Sequence, residues 1–573
     1  MNRLREILLY VLLAAALLLP RLPALDSFVT ADEPYWLSMG ANFYYALGQH
    51  EFQNTIYEYQ PAVTTMWLAT GAMLDYFPEY RGLGQGYLEF EKGMLDPFLL
   101  DHDRDPLVLL RDTRVIQVFL IVALMLIVFY LLQRLIGKAA ALFAVLLTSF
   151  DPFFLGQSRL LDHEAMLALF GLIAVLAFFI YLFQGRAIGS LLLSAVAAGL
   201  AQLTKSSGIA LLVPIGVLLL LYAFQDRRAG ASLSAALFGA AKMFGIWLAV
   251  LAVTYVVFWP GMWVAPGKML HEVYGNAFSY AFQGARLVAL DEGQSPPLGL
   301  ETNLGGMTQM LYGLLWRTTP LTWMGVLLAL ALTVTRDREL VPTTTRWLGL
   351  SLLTLAAAFI LMFGLARGRN SPHYILSAYV ALGLLAGMGW YLTLGWLAKR
   401  IPALRSGRTQ MFVLFIALAL QARSAFAYYP YFFTYQNPVL SRLDPQEFPP
   451  FAYGEGLELS AFHLAALPDA QDLTAVVYYS RGSFSYFFPG HTERFKPYYV
   501  DAGHEQDLLD AISNADYLVI YYAIQGRAEK YDRMLSALAD VEPEYEVWLN
   551  GYKYVIVYRI DSFPPDVIPA MLK

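Results

Sequence analysis

Apolar runs long enough to cross a bilayer recur at about 7–25, 115–133, 139–155, 164–184, 187–203, 207–224, 237–259, 320–335, 347–366, 374–397 and 410–427. Crossing about 30 Å of hydrocarbon takes roughly 20 apolar residues in a helix. A helix also satisfies its own backbone polar groups where no water can. The recurrence therefore predicts a polytopic all-α membrane protein with about 11 transmembrane helices. Composition agrees, since 58% of the 573 residues are hydrophobic and only 15% are charged. The first run has the basic start of a signal peptide, but "ALD" is a weak cleavage site and many spans follow. It reads as an uncleaved first helix. The third run is ambiguous, because Asp151 and Pro152 lie near its end.

Basic residues orient the spans. Arg3, Arg5, Arg134, Lys138, Arg186, Arg227, Arg228, Arg336, Arg338, Arg346, Lys399, Arg400, Arg405 and Arg408 all fall on one side of an eleven-span chain. That side is expected to be cytoplasmic, together with the N-terminus. The opposite face then carries the large segments 26–114, 260–319 and the tail from about 428, and the short stretches 156–163, 204–206 and 367–373. In the tail, "TAVVYYS", "ADYLVIYY" and "YKYVIVYRI" read as strands between helix-compatible segments, a small α/β domain. The first outer segment contains "YWLSMGANFYYALG" and "PAVTTMWLATGAMLDYF", which resemble interfacial amphipathic helices. The chain has no cysteine, which excludes disulfides and thiolate chemistry. Its basic residues form short clusters, not a nucleic-acid footprint.

Polar groups at the outer ends of spans carry the chemistry. Asp32 and Glu33 follow the first span, and Asp32 precedes Pro34, so it reads as a helix cap, a catalytic carboxylate, or both. Asp162, His163 and Glu164 stand at the mouth of the fourth span, one turn after Arg159. They read as a polar mouth closed by Arg159, as part of a metal site, or as groups facing a protein-lined cavity. Lys205 starts the sixth span, and Arg367, Arg369 and His373 precede the tenth. These cations lie on the face that should be poor in Lys and Arg, where they could hold phosphate oxygens or lipid headgroups. Carboxylates and phosphate-binding cations on one face fit a transferase with an anionic lipid donor. The 260–319 segment, with "WPGMW", His271, Glu272 and "DEGQSPPLG", could cover such a site. "DHDRDPLVLLRD" is a poor calcium loop, because Pro106 stands where glycine is needed and Asp112 where glutamate is.

Together these residues resemble bacterial polyprenyl-phosphate-dependent glycosyltransferases of the GT-C superfamily, in the protein O-mannosyltransferase and aminoarabinose-transferase-like group. The resemblance covers about residues 7–427. It rests on Asp32–Glu33 followed by "YQPAVTTMWLATG", on Asp162–Glu164, on "LTK" ending at Lys205, and on "RGRNSPHYILSAY" from Arg367. The tail phrases "YYPYFFTYQNPVL" and "YGEGLELSAFHL" look like those of members with an extra outer domain. The resemblance implies a GT-C-like catalytic region over 1–427, including outer loops 26–114 and 260–319, and an extracytoplasmic accessory α/β domain over 428–573. It implies direct, inverting transfer of one sugar from a polyprenyl-phosphate donor to a hydroxyl of an envelope lipid, glycan or protein, outside a bacterial cell membrane. Asp32 would activate the acceptor, with Glu33 as neighbour or substitute, while Asp162 and Glu164 would shape the acceptor or sugar pocket. Lys205, Arg367, Arg369 and His373 would hold the donor phosphate, with the last three interchangeable, since His373 stands where many relatives have another basic residue. Some relatives bind a divalent cation; no ligand set for one is assigned here, and no catalytic residue is expected in the tail. A lipid or glycan transporter would instead show paired repeats or broken spans at mid-membrane, and a noncatalytic scaffold would tolerate replacement of Asp32.

Overall fold

The computed structural model describes residues 2–56, 60–88, 95–283, 304–334, 341–366, 371–442, 451–500, 503–525 and 529–571. Among the described residues, seven helices are long and apolar enough to cross a membrane: Pro106–Ile136, Glu164–Phe183, Ser206–Arg228, Leu233–Phe258, Thr343–Leu365, Pro372–Arg400 and Gly407–Phe426. An eighth is reached if Gly305–Arg317 and Pro320–Thr333, bent by 112°, form one span. Length alone thus falls short of the expected 11. The runs at 7–25, 139–155 and 187–203 form the shorter helices Asn2–Leu18, Lys138–Ser149 and Ile188–Thr204. Each stops for a local reason. Asn2–Leu18 runs into Pro20, and Asp151 caps a separate helix, Pro152–Gln157. Ile188–Thr204 ends where Lys205 adopts an extended backbone.

Burial separates the centre of the bundle from its rim. In the apolar window of Glu164–Phe183, 89% of residues are buried, against 22% for Leu233–Phe258 and for Gly407–Phe426. A helix apolar on all sides is stable at the centre because protein, not lipid, surrounds it. Close packing around it uses small residues. A Cβ on Gly387 would lie 2.4 Å from the Ala144 backbone, and one on Gly389 would lie 2.1 Å from the Gly325 carbonyl oxygen.

Contacts sort the helix ends into two groups. At one end Lys138 pairs with Glu6, Gln133 Nε2 donates to Tyr10 Oη at 2.8 Å, and Gln184 Nε2 donates to the Arg134 carbonyl at 3.0 Å. Arg186 meets Tyr222 there as well. The other end gathers the segments expected outside. Trp259 Nε1 donates to the Thr55 carbonyl at 2.9 Å, and Trp67 Nε1 donates to that of Phe258 at 2.9 Å.

In the first outer segment, helix Glu33–Gly48 crosses helix Val63–Tyr76 so closely that a Cβ on Gly40 would lie 2.3 Å from Ala69 Cβ. Trp36, Phe43 and Tyr44 of the first helix are buried, so one face of it packs against protein.

The tail folds as an α/β domain on a five-stranded sheet in the order β2-β1-β3-β5-β4. The strands are β1 Thr474–Tyr478, β2 His491–Phe495, β3 Tyr517–Ile520, β4 Tyr545–Leu549 and β5 Tyr552–Arg559. β1 pairs in parallel with β2 and β3, while β5 runs antiparallel to β3 and β4. β3 is buried throughout, as the centre of a covered sheet should be. The domain docks on the first outer segment through Arg481 Nη1, which reaches the buried Asp96 carboxylate at 2.9 and 3.0 Å. Ser485 Oγ donates to the same group at 2.8 Å.

The absence of native cysteine makes sidedness directly measurable. A single cysteine at Glu505, in the tail, is expected to react with a membrane-impermeant maleimide on intact cells. One at Ser406 is expected to react only after permeabilisation, and the reverse labelling would invert the topology.

Candidate active site

Adjacent carboxylates in the first outer segment have different surroundings. Glu33 is fully buried and accepts five hydrogen bonds. Arg114 grips it through Nε at 2.6 Å and through Nη2, Thr30 donates through N at 2.8 Å and Oγ1 at 2.9 Å, and Leu161 N donates at 2.8 Å. Both oxygens are engaged and an arginine holds their charge, so the group is built as a joint. Asp32 is half-buried at the cap position of the same helix, yet its side chain makes no capping bond. Instead Asp32 Oδ2 accepts from Tyr453 Oη at 2.7 Å.

The second acidic motif lies directly behind. Leu161 N is fixed by Glu33, and the Asp162 carbonyl accepts from Gln117 Nε2 at 2.9 Å. Asp162 is buried; its Oδ1 accepts from His163 N at 2.6 Å, while Oδ2 has no hydrogen-bond partner among the described residues. Burial, with Glu164 beside it, pushes the Asp162 carboxyl well above the usual range; Asp32 adds to the effect. His163 is buried against the Trp36 ring, with centroids 4.0 Å apart, and Thr65 Oγ1 lies 3.3 Å from its Nδ1. Burial and the nearby Lys205 hold the His163 imidazole well below its ordinary pKa, so its 3.8 Å approach to Asp162 is not an ion pair. Arg159, expected to close this mouth by ion pairing, donates instead to the carbonyls of Arg21, Pro23 and Ala24.

Glu164 opens the central helix and pairs with Lys205. The chain turns at Lys205 between helix Ile188–Thr204 and a 3-10 turn over Ser206–Leu211. Gly208 lets that turn fold back onto Ala201, whose backbone a Cβ would approach at 3.1 Å. The ammonium sits 4.3 Å from the Tyr374 ring centroid. His373 contacts Tyr374 edge-on at 4.2 Å and stacks on Tyr453 at 5.4 Å. Asp32, Tyr453, His373, Tyr374 and Lys205 thus form a continuous string of contacts from carboxylate to ammonium. Lys205 also lines a cavity of about 290 Å³ walled by Tyr280, Phe282, Met362 and Phe363.

Arg367, Arg369 and the "DEGQSPPLG" stretch at 291–299 lie outside the described residues. Among the described residues no three His, Asp or Glu side chains are grouped to hold a metal. At the discounted calcium loop, Asp105 caps helix Pro106–Ile136 by accepting from Leu107 N at 2.8 Å. Two residues of the constellation were not read from sequence. Arg114 was legible as an arginine on the face expected to lack cations, but Tyr453 carried no such signal.

A buried ion pair that loses one partner costs roughly 3–5 kcal/mol. Glu33→Gln is therefore expected to lower the melting temperature of detergent-solubilised protein markedly, whereas Asp32→Asn should stay within about 1 kcal/mol. Equal melting of the two variants would remove the distinction between joint and reactive group.

Residues 110–263, which include Arg114, Asp162, Glu164 and Lys205, match the family described as dolichyl-phosphate-mannose-protein mannosyltransferase. No curated protein matches the chain. Among solved structures, ArnT from Cupriavidus metallidurans bound to undecaprenyl phosphate is 14% identical, over 98% of this chain and 99% of that one, with a TM-score of 0.47. The Archaeoglobus fulgidus oligosaccharyltransferase in complex with Zn and sulfate is 13% identical, over 92% of this chain and 69% of that one, with a TM-score of 0.46. The family match spans residues 110–263, about a quarter of the 573-residue chain.

Proposed function

We propose that the protein transfers a single sugar, with inversion, from a polyprenyl-phosphate donor to a hydroxyl acceptor of the cell envelope. The observation that carries this reading is the convergence of Asp32, Asp162 and Lys205 on one outer mouth beside an apolar cavity. The first isoprene units fit the cavity walled by Phe282, Met362 and Phe363, and the phosphate meets Lys205 at its edge. Arg367 and Arg369, close in sequence to cavity residue Ala366, are candidates to add charge to the phosphate, as is His373. The Asp32 carboxylate takes the acceptor hydroxyl proton as the acceptor oxygen bonds to the anomeric carbon. The bond from that carbon to the phosphate oxygen breaks from the opposite face, and polyprenyl phosphate departs with its negative charge beside Lys205. Asp162, its carboxyl pushed well above the usual range by burial and Glu164, shapes the sugar or acceptor pocket, and Glu164 sets the position of Lys205.

We read the chain as crossing the membrane eleven times, with the N-terminus cytoplasmic, the short helices included. The two groups of end contacts support this, because Lys138 meets Glu6 at one end while Leu161 meets Glu33 at the other. These contacts support a traverse between 138 and 161, although helix Lys138–Ser149 has 12 residues. A cleft of about 1340 Å³ between helix Leu95–Leu100 and β2, edged by Phe487, Arg494 and Lys496, leaves room for a bulky acceptor lipid or glycan. The matched family's description favours a second reading, a Ser or Thr hydroxyl of a protein.

Purified protein with a panel of polyprenyl-phosphate sugars and envelope lipid, glycan or peptide acceptors is expected to release polyprenyl phosphate and a glycosylated product. Asp32→Asn should lower turnover roughly 10²–10⁴-fold while donor binding persists. Lys205→Met should weaken both donor binding and turnover. Undiminished turnover by Asp32→Asn would sink the base assignment, and a labelled peptide in place of lipid or glycan would select the second reading.

A further inference from the structure

We propose that Tyr453, contributed by the extracytoplasmic domain, is a positioning residue whose hydroxyl orients Asp32, so that the acid–base step requires the domain to be docked on the bundle. The inference rests on Asp32 being the base. Tyr453 lies 421 residues from Asp32 in the chain, and its hydroxyl donates to Oδ2 at 2.7 Å. Because one carboxylate oxygen is held, rotation about the Cβ–Cγ bond is fixed, which sets the direction of the other oxygen.

The tyrosine is itself held from both sides. Its carbonyl accepts from Ala31 N at 2.8 Å, so the backbone beside the carboxylate and the backbone of the tyrosine are bonded directly. The next residue, Gly454, has φ +123, and a Cβ there would lie 2.7 Å from the Val29 carbonyl oxygen and 2.9 Å from Ser483 Oγ. Only glycine permits this approach. On the domain side, Gly454 N donates to Tyr521 Oη at 2.8 Å, and Tyr453 N donates to Glu455 Oε2 at 2.8 Å. Tyr521 follows β3 and donates to the same glutamate oxygen at 3.1 Å. The central strand of the domain is thereby linked through two residues to the candidate base.

A packing role alone would need only the ring, which stacks on His373 and lies 5.2 Å from that of Phe451. The hydroxyl is the part that a packing role leaves unexplained. Burial and the Asp32 charge push the phenol well above its ordinary pKa, so it remains a donor. A donor to the carboxylate favours the anion, so losing it raises the pKa of Asp32. Among the described residues, the other ionisable groups facing the pair include Asp162, the Glu164–Lys205 pair, His373 and Tyr374, with Glu33–Arg114 behind and Glu455–Tyr521 on the domain side. All of them remain in the variants below.

The test uses the full chain in nanodiscs with its donor and acceptor. Tyr453→Phe is expected to lower kcat roughly 10–100-fold, as misplacement of a reacting group does. Donor KM should stay within about twofold, and the acid limb of kcat/KM should move to higher pH. Fluorotyrosine at 453 keeps the hydroxyl and strengthens it as a donor, so rate should be retained and the limb should move to lower pH. This second arm does not depend on the phenylalanine variant folding. Wild-type kcat and an unmoved pH profile in both variants, with Asp32→Asn inactive, would overturn the positioning role and leave the base intact. Full activity in Asp32→Asn would overturn both.

Discussion

The site depends on one buried ion pair. Glu33 and Arg114 lie 81 residues apart, on the first outer segment and on helix Pro106–Ile136, and the same carboxylate takes the backbone N–H of Leu161. Three stretches of chain therefore meet at one group. Removing two charges from water is costly, and the cost is offset here by five hydrogen bonds to a carboxylate with a bidentate arginine. Asp32 precedes Glu33 and Asp162 follows Leu161, so the joint that ties these stretches together also fixes the spacing of the two candidate carboxyls.

These carboxyls differ because their surroundings differ. Asp32 is half-buried and receives a phenol hydroxyl. Asp162 is buried with one oxygen lacking a hydrogen-bond partner among the described residues, and Glu164 and Asp32 add negative charge nearby. Lys205 balances the group from the far side while lying on the Tyr374 ring, which leaves its charge at the edge of an apolar cavity.

Most of this site was legible because charge is conspicuous in an apolar chain. Asp32, Glu33, Asp162, Glu164, Lys205 and His373 all stood at outer helix ends, where a polar group needs a reason. What could not be read was partnership. That Glu33 is a joint requires knowing that Arg114 faces it, and Tyr453 is one of 37 tyrosines. The tail shows the same boundary. "TAVVYYS", "ADYLVIYY" and "YKYVIVYRI" contain β1, β3 and β5, the inner strands. The strands left unread, β2 "HTERF" and β4 "YEVWL", are the two edges, where charged residues guard against pairing with other chains and mask the alternation. The apolar runs did not give the helix lengths, since the turns at Pro20, Asp151 and Lys205 are set by a few residues each.

The closure of the site by Tyr453 has a consequence for biosynthesis. The ribosome makes Asp32 near the start of the chain and Tyr453 421 residues later. At about 5–20 residues per second the interval is roughly 20–85 s. Throughout it the acidic motif lacks the phenol that holds it. Translation therefore acts as a timer, and the carboxylate acquires its fixed orientation only when nearly the whole polypeptide has been threaded out and its last domain has folded.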